Sequence, residues 1–276
     1  MRYGHKDFWE ELIDIGAEAG RAILDIYHDG IVVTYKEDRS PLTMADQRSH
    51  AVITTRLKKV TPDIPVISEE GADIPYEERS EWGSFWLVDP LDGTKEFIKR
   101  NGEFTVNIAL IERDRPIMGV VYVPVKDVLY YAEKGKGAFK VEGGETTRLK
   151  VREKVDKGYI VAESRSHRTP EIEEFLKRIP VQERISAGSS LKFCLVAEGK
   201  ADLYPRFGPT MEWDTAAGQC IVEEAGGKVI GRDGGPLSYN RRELRHNGFI
   251  AMPYACALAA EDFFATEHTE HTEKKP

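Results

Sequence analysis

Asp89 and Asp92 stand three positions apart, with Pro90 and Leu91 between them and Gly93, Thr94 and Lys95 directly after. Carboxylate oxygens, joined by a free backbone carbonyl such as that of Leu91, are donors that magnesium takes. A helix opening at Thr94 turns its first amides toward an anion at the same place. Two acids and a helix start at one point make a phosphatase-like arrangement, able to hold a hard cation and a phosphate together. The pair admits a plainer reading with equal force, in which Asp89 caps a turn and Asp92 caps the helix. Spacing excludes two other motifs. A calcium loop of the helix-loop-helix kind needs oxygen ligands at alternate positions before its glycine, where this chain has Val88 and Pro90. A haloacid dehalogenase phosphatase, which forms a phospho-aspartate, needs an acid two residues before Asp92, and Pro90 is there.

The elements around the pair must place it. Phe85, Trp86, Leu87 and Val88 read as a buried strand, and Pro90, which has no amide to donate, is expected to end it with Asp89 at its mouth. Asp92 then falls in a tight turn, Gly93 supplies backbone freedom, and Thr94 opens a helix through Lys95, Glu96 and Phe97. Upstream, Phe8, Leu12, Ile15, Ala19, Ile23 and Ile26 recur at helical spacing, so the chain opens on an amphipathic helix ending near 27–30. Residues 31–36 read as a strand. A second helix carries Val52, Ile53, Leu57 and Val60, with Thr43 and Asp46 at its start. From that segment alone, Thr43-x-x-Asp46 is best read as a capping box. Residues 65–71 form a short buried strand ending in Glu69 and Glu70, a second strand end bearing carboxylates; two loop glutamates look the same.

Downstream, 104–111, 116–123 and 128–133 are apolar or alternating runs with turn-length gaps, which predicts an antiparallel meander. Residues 134–139 and 143–144 read as further turns, and the pattern changes at 150–157. We therefore expect an N-terminal α+β lobe over 1–153, a C-terminal α/β lobe over 154–265 and a disordered polar tail over 266–276. The second lobe alternates: strand 159–162, helix 170–179 capped by Thr169, strand 184–186, a helix from 188 closed by Gly199, and strand 201–207. A helix opened by 213–218 ends at Gly226 and Gly227, with Asp214 at its N-terminus, where an N-cap is the plain reading. A strand at 249–252 and a helix at 255–264 complete it. In the tail, His268 and His271 are read as solvated rather than as a metal site.

Composition narrows the function classes. The chain has 276 residues, 41% hydrophobic and 31% charged, enough for a large core. With 39 Lys and Arg against 47 Asp and Glu it lacks the cationic excess that a nucleic-acid backbone demands. Cys194, Cys220 and Cys256 lie in apolar helical patterns without metal-ligand spacing and read as buried thiols of a reducing compartment. The first ten residues carry acids and no apolar segment, and no apolar run reaches membrane-spanning length. A soluble, cytoplasmic protein is expected, with no integral membrane segment.

Glu69-Glu70, 89–94 (Asp-Pro-Leu-Asp-Gly-Thr) and 213–218 (Trp-Asp-Thr-Ala-Ala-Gly), in that order and over most of the chain, resemble the lithium-sensitive, magnesium-dependent phosphomonoesterases related to inositol monophosphatase. Within that family, 94–110 and 188–199 look like the CysQ type of 3'(2'),5'-bisphosphate nucleotidase. Inositol monophosphatases usually carry Thr-Asn-Phe where this chain has Thr94, Lys95, Glu96 and Phe97.

The resemblance implies an α/β fold, the layered αβαβα sandwich of the inositol monophosphatase and fructose-1,6-bisphosphatase type. It implies two or three Mg2+ held by Glu69, Asp89, Asp92, Asp214 and the carbonyl of Leu91, with Asp89 bridging. An all-oxygen set suits magnesium rather than zinc. Thr94 and Asp46 would orient and deprotonate a metal-bound water for in-line attack, with Glu70 assisting, and the amides of Gly93 and Thr94 would hold the phosphate. Glu69, Leu91, Asp92 and Asp214 would thereby contact substrate as well. Ser189, Lys192 and Arg206 resemble positions that meet the second phosphate and adenosine, with His167 a weaker candidate. Without the resemblance, Ser189 is a helix cap and Lys192 and Arg206 are surface charges. The implied reaction is hydrolysis of adenosine 3',5'-bisphosphate to AMP and phosphate in sulfate assimilation, with 3'-phosphoadenylyl sulfate as a further substrate, by a monomer or homodimer. Peripheral placement at the inner membrane is the alternative to a purely cytoplasmic one. Inositol monophosphate or fructose 1,6-bisphosphate hydrolysis is the rival within the class. A catalytically silent metal-binding scaffold is the rival outside it, and the intact set Asp46, Glu69, Asp89, Asp92, Thr94 and Asp214 argues against that.

Overall fold

The computed structural model describes residues 6–29, 33–35, 41–155, 157–166, 169–256, 258 and 263. His167, the ends of the 31–36 strand, most of the helix expected at 255–264 and the tail with His268 and His271 lie outside the described residues.

The first part of the chain runs α1 (Lys6–Asp29), β1 (Val33–Tyr35), β2 (Pro41–Thr43), α2 (Met44–Val60), β3 (Val66–Ser68), α3 (Tyr76–Arg79), β4 (Ser84–Asp92), α4 (Thr94–Ile98), β5 (Thr105–Glu112), β6 (Arg115–Val123), β7 (Val128–Glu133), β8 (Gly137–Glu142) and β9 (Glu145–Arg148). The second part runs β10 (Tyr159–Ser164), α5 (Pro170–Lys177), β11 (Val181–Ala187), α6 (Leu191–Ala197), β12 (Tyr204–Arg206), β13 (Thr210–Met211), α7 (Glu212–Glu224), β14 (Gly227–Gly231), β15 (Arg245–His246) and β16 (Phe249–Pro253). Strands β3 to β9 form one seven-stranded sheet in chain order, parallel between β3 and β4 and antiparallel thereafter.

Alternation along these strands sets the layers. On β5, Val106, Ile108 and Leu110 enter the core beneath α1 and α2, while Ala109 and Ile111 enter the core shared with α6 and α7. That is the period of two that a strand imposes, with both faces covered. Helix α7 lies close on the sheet at Gly119, where a Cβ would meet the Ala217 carbonyl oxygen at 2.7 Å. On the far side of α6 and α7 stands a second sheet, β12–β16–β14, to which the parallel pair β10–β11 joins through the Val161–Leu203 bridge. Its Ala162, Tyr204, Phe249 and Ala251 face α6 and α7, and its Val161, Leu203, Ile250 and Met252 pack with Ile172, Phe175 and Leu176 of α5. The order α, β, α, β, α is the layered sandwich the resemblance implied.

Several local expectations need correction. Pro90 does not end β4: the strand continues to Asp92, and its pairing with β5 shifts register between Asp89 and Asp92. Proline is tolerated there because a bulge leaves one residue without a ladder partner. Residues 137–139 are strand rather than turn, and the polar segment 145–148 is the last strand; alternation was weak because β9 is exposed throughout. Thr169 occupies the N-cap of α5 but makes no side-chain capping bond. Cys194 and Cys220 are buried helical thiols, whereas Cys256 is half-buried and follows the turn after β16.

Candidate active site

The register shift in β4 is what builds the carboxylate pair. Phe85 and Leu87 point into the core on the α7 side, and Asp89 continues on that face. Leu91 is odd-numbered too, yet it packs on the opposite face, with Trp86 and Val88. The bulge has reversed the alternation, so Asp92 reaches the same cleft as Asp89. The Pro90 carbonyl is held by the hydroxyl of Ser49 at 2.7 Å, and the Leu91 amide donates to Asp89 Oδ1 at 3.0 Å.

Each acid is held by neighbours. Glu69 follows β3, its amide donating to the Val88 carbonyl at 3.1 Å. Asp214 is the third residue of α7 rather than its N-cap, and its Oδ2 accepts from the Met211 amide at 3.0 Å and from the Thr210 hydroxyl. Asp92 Oδ2 accepts from Ser190 Oγ at 2.7 Å and Asn107 Nδ2 at 3.3 Å. Oxygens of Glu69, Asp89 and Asp214 lie within 4.8 Å of one another. Asp92 stands outside that tightest group but faces both Asp89 and Asp214 electrostatically. Burial, then repulsion from Glu69, Asp92 and Asp214, raises the Asp89 pKa well above the ordinary carboxylate range. Burial and Asp92 push Asp214 up to about 7. Such a group of acids calls for cations between them.

Asp46 serves two neighbours with two oxygens. Its Oδ2 accepts the Thr43 amide at 2.7 Å and hydroxyl at 2.6 Å, completing the capping box of α2. Its Oδ1 lies 3.3 Å from Thr94 Oγ1, which is also 3.4 Å from the Leu91 carbonyl oxygen. Gly93, at φ 94°, takes a conformation that only glycine adopts cheaply and delivers Thr94 to the start of α4. Glu70 lies half-buried in the turn after β3 and does not line the cleft.

The cleft offers about 290 Å³, and its other end is cationic. Lys192 is 2% exposed, so the surface-charge reading fails. Its Nζ donates to the Ser189 carbonyl and, at 3.3 Å, to that of Ala187, and sits 5.1 Å above the Tyr204 ring. Burial lowers its pKa to about 8. Arg206 donates through Nη2 to the Pro209 carbonyl at 2.8 Å. Burial opposes its charge, but Tyr204 and the acids Asp214 and Asp92 more than offset this and raise its pKa. Arg206 Nε and Ser189 Oγ are buried without a hydrogen-bond partner among the described residues. Ser189 has a positive φ of 45° and precedes the N-cap position of α6, which Ser190 occupies, so it does not cap the helix.

Sequence reasoning passed over Asn107, Ser190, Thr210 and Tyr204. Asn107 carried a signal: it falls on the inward phase of an apolar strand, where a polar group needs partners. It has them, with Nδ2 2.9 Å from Ser190 Oγ and Oδ1 2.9 Å from Thr105 Oγ1.

Residues 6–268 match the inositol monophosphatase family. The 3'(2'),5'-bisphosphate nucleotidase CysQ of Salmonella typhimurium is 52% identical over 249 residues, covering 89% of this chain and 99% of that protein. Among solved structures, CysQ of Bacteroides thetaiotaomicron, a bacterial member of the inositol monophosphatase family, superposes with a TM-score of 0.80 at 45% identity, covering 91% of this chain and 99% of the other. An IMPase from Thermotoga maritima gives 0.76 at 25% identity, covering 90% and 93%.

Proposed function

Because the chain belongs to the inositol monophosphatase family, we propose that it is a 3'(2'),5'-bisphosphate nucleotidase that hydrolyses adenosine 3',5'-bisphosphate to AMP and phosphate. The observation that carries the choice of substrate is the cationic end of the cleft, where buried Lys192 and half-buried Arg206 and Ser189 stand ready for a second phosphate. Glu69, Asp89, Asp92, Asp214 and the Leu91 carbonyl are an oxygen-only set, which fits Mg2+, two or three ions to a site. Bound magnesium supplies Lewis acidity and positive charge to the reacting phosphate.

The chain's own residues do the rest. Thr94 Oγ1, paired with Asp46 Oδ1, orients the attacking water, and the proton passes through the hydroxyl to the carboxylate that Thr43 holds in place. Glu70 assists from the turn behind. Gly93 and Thr94 present amides to the phosphate being cut, and Lys192 and Arg206 grip the other. The water oxygen bonds to phosphorus as the bond to the ribose oxygen breaks; that oxygen takes a proton from solvent water, and Asp46 returns its proton to solvent.

3'-Phosphoadenylyl sulfate shares the reacting end and is a second substrate, which places the enzyme in sulfate assimilation. No helix among the described residues is long and apolar enough to cross a membrane. We place the protein in the cytoplasm, as a monomer or homodimer, and expect sensitivity to lithium. The test is magnesium-dependent phosphate release from adenosine 3',5'-bisphosphate and inositol 1-phosphate side by side, with lithium added in a parallel series. Preference for the nucleotide supports the proposal. Preference for inositol phosphate leaves the acid end standing and removes the roles given to Lys192 and Arg206.

A further inference from the structure

On the cationic side of the cleft, the backbone from Ser186 to Ser189 is fastened residue by residue to charged side chains. The Ser186 carbonyl accepts from Arg165 Nη2 at 2.7 Å, those of Ala187 and Ser189 accept from Lys192 Nζ, and the Gly188 amide donates to Glu103 Oε2 at 2.9 Å. Glu103 and Arg165 are themselves joined by two bonds, Nε to Oε2 at 2.7 Å and Nη2 to Oε1 at 2.8 Å. Such a fork holds carboxylate and guanidinium in one orientation. The turn also packs tightly here: a Cβ at Gly188 would meet Glu96 Cγ at 2.7 Å, and the Glu103 carbonyl oxygen closer still. Neither Glu103 nor Arg165 is among the described residues that line the cleft.

The turn needs such a hold. Ser189 sits at a φ of 45°, which a residue other than glycine keeps only where its surroundings impose it. Lys192 supplies part of that constraint, yet its three donors are also what a second phosphate calls on. A phosphate that draws Nζ away from the Ala187 and Ser189 carbonyls loosens the turn that presents Ser189. Glu103 and Arg165 hold the same turn from outside the cleft. Burial opposes the Glu103 charge, but Arg165 and the Gly188 amide outweigh it and keep the carboxyl below its ordinary range.

We propose that Glu103 and Arg165 are positioning residues for substrate choice: they fix the turn at 186–189, and so set how tightly the site takes a second phosphate, without touching the substrate. The inference rests on the nucleotidase reading, in which Ser189 and Lys192 meet that phosphate.

The side chains are 42% exposed at Arg165 and 20% at Glu103, so truncating either leaves the apolar cores intact. Adenosine 3',5'-bisphosphate is compared with adenosine 3'-monophosphate, which lacks the second phosphate. Glu103→Ala is expected to raise KM for the bisphosphate by about tenfold, the worth of one charge-assisted hold, with kcat unchanged and the monophosphate unmoved. Arg165→Met should act in the same direction, and Glu103→Gln, which keeps an acceptor for the Gly188 amide, should recover part of the loss. In Lys192→Met protein, where the grip is already gone, Glu103→Ala should add little, because residues that act through one another are not additive. Calorimetric titration without magnesium should show AMP, the product that keeps the second phosphate, bound more weakly by Glu103→Ala by a similar factor. If Lys192→Met separates the two nucleotides but Glu103→Ala and Arg165→Met slow both equally, leave both unchanged or add fully to Lys192→Met, the positioning role is overturned while the nucleotidase reading stands. A wild type that hydrolyses the monophosphate as readily as the bisphosphate, or a Lys192→Met protein changed alike toward both, overturns the reading and the inference with it.

Discussion

The two ends of the cleft are finished to different degrees. At the acid end, the protein has already supplied partners: the Leu91 amide to Asp89, Ser190 and Asn107 to Asp92, Met211 and Thr210 to Asp214, and Thr43 to Asp46. At the cationic end, Arg206 Nε and Ser189 Oγ are buried atoms without a hydrogen-bond partner among the described residues. A buried polar atom left unpaired costs about 1–3 kcal/mol, so these two atoms favour a ligand that pairs them. On the function proposed here, the acid end serves every substrate alike and the open end is where substrates are told apart.

The contrast can be broken most forcefully at Asp89. Asp89→Asn is expected to abolish phosphate release from every ester tested, while the folded protein survives, because it loses a charge that repels Glu69, Asp92 and Asp214. Retained activity on any substrate would remove Asp89 from the centre of the site. Thr94→Ala should lower kcat by ~10²–10⁴ with KM nearly constant, the range for lost general acid-base help. An unchanged kcat would sink the Thr94–Asp46 pair. Ser190→Ala, which leaves all four acids in place but removes the shorter of the two hydrogen bonds to Asp92, should weaken apparent magnesium affinity by roughly 10–100-fold, read from the metal dependence of the rate. Lys192→Met is expected to raise KM for the nucleotide bisphosphate by about tenfold or more and to move inositol 1-phosphate far less. Equal changes for both would mean that the cationic end is scaffold.

The smallest effect sharpens the comparison through pH. In metal-free protein the Asp214 pKa rises from 3.8 to about 7 on folding. Between those values the native state keeps a proton that the unfolded chain has lost, so this group's contribution makes stability fall as pH rises from about 4 to 7. Thermal unfolding of wild type should therefore lose more across that window than Asp214→Asn, and magnesium should erase the difference. Identical slopes without metal would show that burial and the neighbouring acids do not hold a proton on Asp214.

Much of this was legible in the residues. Helix periodicity located α1 and α2, and the meander followed from turn-length gaps. The acids could be placed at strand ends and helix starts because carboxylates there meet free amides. What stayed hidden depended on distance in sequence. Ser190 looks like one of two equivalent serines until the fold brings it 98 residues back to Asp92. Lys192 reads as a surface charge because nothing local says that α6 is covered on both sides. Strand β9, polar at every position, has no alternation to detect. Pro90 misled for a related reason: the rule that proline stops a strand holds for a regular ladder, and here the ladder is interrupted.

That interruption bears on how the enzyme can change over generations. Since the bulge reverses which way side chains point between Asp89 and Asp92, the spacing of the two acids is a matter of phase rather than reach. Losing the extra residue would restore an even ladder, with the two acids opposite Asn107 and Thr105 and still on one face but without the irregular stretch that turns Leu91 into the opposite layer, whereas many substitutions at 90 and 91 would keep both in the cleft. A lineage can drift in the letters of this segment while the acids keep their face.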